Sequence, residues 1–123
     1  EQDAATASAT QNIVFNATET PGRMSAGVGT PVRDASQPQV GIIEVRNVDF
    51  GAKASGFGCR VRGRGRMSVR PGKYYGPDLA VIDVSGDAWA DISSACKEQP
   101  SGVQTVYLIL ENGVELDSWH FIK

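Results

Sequence analysis

Residues 103–122 read VQTVYLILENGVELDSWHFI. Two apolar-rich runs, 103–110 and 114–122, flank Glu111, Asn112 and Gly113. Asn-Gly suits a two-residue type I′ turn, whose central positions both need positive φ. This stretch therefore reads as a β-hairpin. In that register Ile109 faces Leu116, Val106 faces Trp119 and Leu108 faces Asp117.

Working outward, the same short period recurs. Residues 79–84 (LAVIDV) form a compact apolar run of strand length, and residues 57–70 are a second long strand candidate. Residues 40–50 nearly alternate and are rich in β-branched side chains. Ile43, Val45 and Asn47 would share one face there, with Ile42 opposed. Ile13, Val14 and Phe15 mark a short first strand within 11–16. Residues 19–38 hold Pro21, Gly22, Gly27, Gly29, Pro31 and Pro38 and read mostly as loop, and 51–58 reads as a turn region.

One segment breaks the pattern. Trp89, Ile92 and Cys96 fall at i, i+3 and i+7, one face of a helix over 88–97. Asp87 would cap it, Asp91 would favour its dipole, and Pro100 with Gly102 would stop it. That face would dock on the sheet, bury Trp89 and carry Cys96 toward Cys59; Trp119 likewise falls on a face expected to be buried. The expected fold is all-β or mainly β: an antiparallel β-barrel or β-sandwich with one short helix near 88–97, since either architecture hides strand edges. Residues 11–123 would form a single domain after a flexible N-terminal tail, residues 1–10.

The bulk properties agree with a small globular protein. The chain has 123 residues, 41% apolar and 21% charged, with 14 glycines for turns between strands. Its formal net charge of -2 gives no bulk attraction for nucleic acid. No run approaches the roughly 20 apolar residues that a bilayer span needs. The polar, Ala/Ser/Thr-rich start is expected of a mature secreted chain. Cys59 and Cys96 suit a disulfide in an oxidising compartment, which would add roughly 4 kcal/mol by closing a long loop. The alternative is two separate buried thiols. Asn16-Ala17-Thr18 is an N-glycosylation sequon.

The most unusual feature is an arginine stripe. Arg60, Arg62, Arg64 and Arg66 alternate with Val61, Gly63, Gly65 and Met67, and Arg70 and Lys73 follow. On a strand all four stripe arginines share a face, spaced ~7 Å apart. Such a ribbon could hold phosphate, sulfate or uronate groups. It could equally be a solvated outer face neutralised by acidic neighbours, which also guards a strand edge. Tyr74 and Tyr75, on a turn, could stack on sugar rings or pack over the end of the barrel.

Catalytic chemistry finds no constellation. Ser118 and His120 share a strand face, but Asp117 is expected on the opposite one, so the local trio cannot form a triad. One histidine and two cysteines without metal-ligand spacing give no metal site, and no phosphate loop or cofactor motif is present. A carboxylate pair for glycoside hydrolysis has no sequence signature and stays open.

The Ala/Ser/Thr-rich start, the sequon at Asn16, two cysteines around a β-rich centre and the closing segment 107–113 (YLILENG) together resemble small secreted hypersensitive-response-inducing protein elicitors of plant-pathogenic filamentous fungi. That resemblance implies secretion into the plant apoplast, contact with a host surface component (protein or glycan), and induction of cell death or defence responses without catalysis. The competing expectation is a polyanion- or glycan-binding module using the stripe at 60–73.

Overall fold

The computed structural model describes residues 2–3, 8–11, 13–17, 24–28, 40–51, 54–73, 75–97 and 102–122. Among these described residues nine strands follow in chain order: β1 (Gln2–Asp3), β2 (Ala9–Gln11), β3 (Ile13–Ala17), β4 (Met24–Val28), β5 (Val40–Asp49), β6 (Gly56–Pro71), β7 (Ala80–Ala95), β8 (Val103–Asn112) and β9 (Glu115–Ile122). Every pairing is antiparallel. The strands make one sheet in the order β2-β5-β8-β6-β9-β4-β3, with β1 added on β9 and β7 on β6. The sheet curls so that β4 packs against β5 and β8, and β3 against β5. The all-β antiparallel class expected above is what the chain adopts. Within the segment expected as a tail, β1 pairs with β9 and β2 with β5.

The expected helix is absent: among the described residues there is none, and 88–95 continue β7. Its helical spacing is overridden because β6 presents an open edge from Gly56 to Val61 whose backbone groups need partners. Residues 90–95 supply them, from Val61↔Ala90 to Gly56↔Ala95. Ile92, Ser94 and Cys96 are half-buried in alternation, a period of two rather than 3.6.

The expected hairpin is also absent. β8 and β9 do not pair with each other; both pair with β6. Gly65 to Pro71 carry β8 on one edge of β6, and Gly56 to Arg62 carry β9 on that same edge, because β7 takes the other edge throughout. β8 and β9 therefore lie end to end, running the same way, and Asn112-Gly113 is a bend between them. Asn112 has φ 60°, and the Gly113 N–H donates to the Arg64 carbonyl at 3.0 Å. Only one of the two turn positions takes positive φ, so the chain bends without reversing. Gly63 sits opposite this bend with φ 103°, where a side chain would run into the Gly113 carbonyl.

The disulfide is corrected on the same ladder. Cys59 pairs with Ile92, whereas the Cys96 N–H donates to the Ser55 carbonyl at 2.9 Å. The two cysteines are thus offset by four strand positions, about 13 Å at the usual rise. A bridge needs Cα atoms within about 7 Å. Both thiols are free, Cys59 buried and Cys96 half-buried.

The core follows the strand alternation. Ile43 and Val45 on β5, Met67 and Val69 on β6, and Ile82 on β7 are buried, while Asp83 and Ser85 face out. Asn47 departs from the expected face: it is exposed, with φ 60°, where β5 slips register against β8 between Val45 and Val48. An aromatic cluster closes the β9 end. The Phe121 ring meets Phe50 edge-on at 4.6 Å and Phe57 at 5.2 Å, beside Trp119 at 5.8 Å. Trp119 is core, as its sequence pattern predicts.

Candidate functional site

The stripe lies on the outer face of β6: Arg60, Arg64 and Arg66 are exposed and Arg62 is half-buried, between the buried Val61 and Met67. Carboxylates from the neighbouring strands and from the β6–β7 loop neutralise most of it. Arg60 pairs with Asp117 at 3.4 Å, Arg62 with Glu115 at 2.5 Å, Arg66 with Asp83 at 3.2 Å and Arg70 with Asp78 at 2.7 Å. Arg64 has no carboxylate partner among the described residues. The stripe is thus mainly a paired outer face, with little free positive field to draw a polyanion.

Two irregularities turn part of that face into a site. β6 and β7 lose register between Val61 and Gly63, so Asp87, Ala88 and Trp89 stand opposite the single residue Arg62. The slack throws the Trp89 indole outward over β6, where the Arg62 guanidinium lies 4.5 Å from the ring centroid and that of Arg60 6.0 Å. This cation–π contact is worth about 0.5–1 kcal/mol at an exposed position and ties the ring to Arg62 on β6. The expectation that Trp89 belongs to the core is corrected: it is half-buried on the outer face. On the other side of β6, a second slip against β9 leaves Asp117 as an extra residue between Leu116 and Ser118. That bulge brings Asp117 to Arg60, so Asp117 reaches the stripe side rather than the opposite face.

Below the Trp89–Arg62 stack the outer face dips. A depression of about 150 Å³ is lined by Gly58, Cys59, Arg60, Asp91, Ile92, Ser93, Ser118 and His120. Its floor is bare because Gly58 has no side chain; a Cβ there would meet the His120 ring at 2.5 Å. Burial, and next the Asp91 carboxylate, push the Cys59 thiol up to about 12, so the group beneath the floor is a neutral thiol.

The other residues that the sequence singles out lie apart from this site. Tyr75 is 69% exposed on the turn after β6, with the Lys73 ammonium 5.8 Å from its ring. Tyr74 lies outside the described residues. Asn16 has its backbone on β3 opposite Ser25; its side chain and Thr18 lie outside the described residues. No cluster of three metal-ligating side chains occurs among the described residues. Trp89, Asp91, Ser93 and Glu115 were missed as site residues by reading the sequence. The available signal was a tryptophan set among Ala, Asp and Ser, which a helical spacing disguised.

The architecture and this outer platform define a small antiparallel β module with an aromatic, hydrogen-bonding surface. No family model and no curated protein sequence matches the chain. Solved structures do match its fold. A family 6 carbohydrate-binding module from Clostridium cellulolyticum, in complex with xylose, superposes with a TM-score of 0.81 at 20% identity, over 99% of this chain and 95% of that one. A β-1,3-glucan-binding family 6 module from Bacillus halodurans gives 0.79 at 21% identity, covering 98% and 93%. Another family 6 module, from Clostridium stercorarium with cellobiose, gives 0.76 at 22% identity, covering 98% and 91%. These likenesses agree with the all-β antiparallel fold of the curled sheet. They also overturn the resemblance to fungal hypersensitive-response elicitors, together with the induction of plant cell death or defence responses that it implied.

Proposed function

We propose that this chain is a non-catalytic carbohydrate-binding module that seats a sugar ring against the Trp89 platform. The observation that carries this reading is the likeness of almost the whole chain to modules described with xylose, cellobiose or β-1,3-glucan as ligand. The site supports it chemically. An indole offers a flat apolar surface to the C–H face of a pyranose, and buries it without needing charge. Arg62 and Glu115, already paired at 2.5 Å, supply donors and an acceptor beside the ring for hydroxyl groups. Their mutual neutralisation favours a neutral glycan over the polyanion considered for the stripe. Secretion belongs to the same proposal, because such a glycan would be met outside the cell.

Affinity electrophoresis and titration calorimetry against xylan, mixed-linkage β-glucan and laminarin test it. At least one glycan should bind. Trp89→Ala should weaken that binding at least tenfold, about 1.4 kcal/mol, with little change in Tm because the ring lies outside the core. No binding across the panel, or undiminished binding by Trp89→Ala, would refute the proposal.

A further inference from the structure

Resting on that reading, we infer that the depression beneath the platform is a second sugar subsite, continuous with Trp89, which takes one neutral pyranose of the same glycan. The two places share a residue: Arg60 lines the depression while its guanidinium lies 6.0 Å from the Trp89 centroid. A ligand seated on the indole therefore meets Arg60 next.

The lining is suited to hydroxyl groups. The Asp91 carboxylate accepts, the Ser93 hydroxyl both donates and accepts, and the His120 imidazole adds two ring nitrogens for hydrogen bonding. Among the described residues none of these three side chains has a hydrogen-bond or ion-pair partner, so all three are available to a ligand. A carboxylate beside donor-acceptor groups matches the alternating hydroxyls around a sugar ring. The hollow, at about 150 Å³, is well below the ~300 Å³ at which drug-sized pockets begin, so it has room for one ring rather than several.

Its charge selects against acidic sugars. Arg60 is neutralised by Asp117 at 3.4 Å, leaving Asp91 as the uncompensated charge of the lining. A uronate or sulfate brought here would face a like charge, which disfavours it against a neutral ring. Gly58 keeps the hollow open, because a side chain there would displace the His120 ring that forms its wall.

The test compares xylose and glucose with xylobiose, cellobiose, laminaribiose and digalacturonate by NMR titration of 15N-labelled full chain and by calorimetry. A neutral disaccharide should bind at least tenfold more tightly than its monosaccharide and shift the amide signals of Ser93 and His120. Asp91→Ala combined with His120→Ala should erase that gain while monosaccharide binding persists. Digalacturonate should bind more weakly than the neutral disaccharides. If the double variant keeps the disaccharide gain while Trp89→Ala abolishes binding, the subsite is wrong and the platform stands. Tighter binding of digalacturonate would likewise overturn the subsite. If the wild-type chain binds none of the sugars, both readings fall.

Discussion

At the scale of single residues, Cys59 shows how position in the sheet sets chemistry. Its thiol points toward the Ile92 carbonyl at 3.7 Å, and burial, then Asp91, raise it from 9.0 to about 12. The folded state therefore holds a proton that the unfolded chain releases near pH 9. The resulting stabilisation is fully present below pH 9 and is lost as pH rises through about 12. The slope in that window is at most about 1.4 kcal/mol per pH unit. Wild type should lose stability relative to Cys59→Val above pH 9, read from denaturant unfolding of both between pH 7 and 11. A constant difference would contradict it. Cys96, raised by burial, and Tyr107, raised by donating to Glu44, titrate in both proteins and cancel.

At the scale of elements, β6 is the organising strand. Its first half pairs with β9, its second half with β8, and the change occurs at Gly63 and Arg64. There the bend at Gly113 comes so close that the Gly113 N–H reaches the Arg64 carbonyl. Gly63→Ala would force a Cβ into the Gly113 carbonyl at a residue with φ 103°, combining a backbone clash with strain. It should destabilise by at least about 2 kcal/mol, measured by urea unfolding. A change below about 0.5 kcal/mol, the range of an ordinary surface substitution, would mean that β8 and β9 are not held against β6 in this way. The arginines between glycines were legible as a stripe. The junction was not, because a strand's own sequence does not state how many partners share its edge.

At the scale of the whole molecule, β6 carries β8, which leads on to β5 and β2, and also β9, which leads on to β4 and β3, so the two flanks of the curled sheet share one strand and should melt together. Heating should give one transition, with far-UV circular dichroism and Trp fluorescence coincident, as two-state unfolding requires. Two separated transitions would show that the flanks are independent. The sequence by itself determined the all-β character, the strand stretches at 40–49 and 80–84, and the burial of Ile43, Val45 and Trp119. These follow from a period of two, which is local. Only the tertiary structure decided that residues 88–95 are strand, that Asn112-Gly113 bends rather than reverses the chain, that Cys59 and Cys96 stay apart, and that Trp89 faces outward. The reason is physical: local pattern sets which side of an element is apolar. Backbone hydrogen bonds between residues distant in sequence set which element lies beside it, and here those bonds overrode a helical spacing, a turn signal and a cysteine pair.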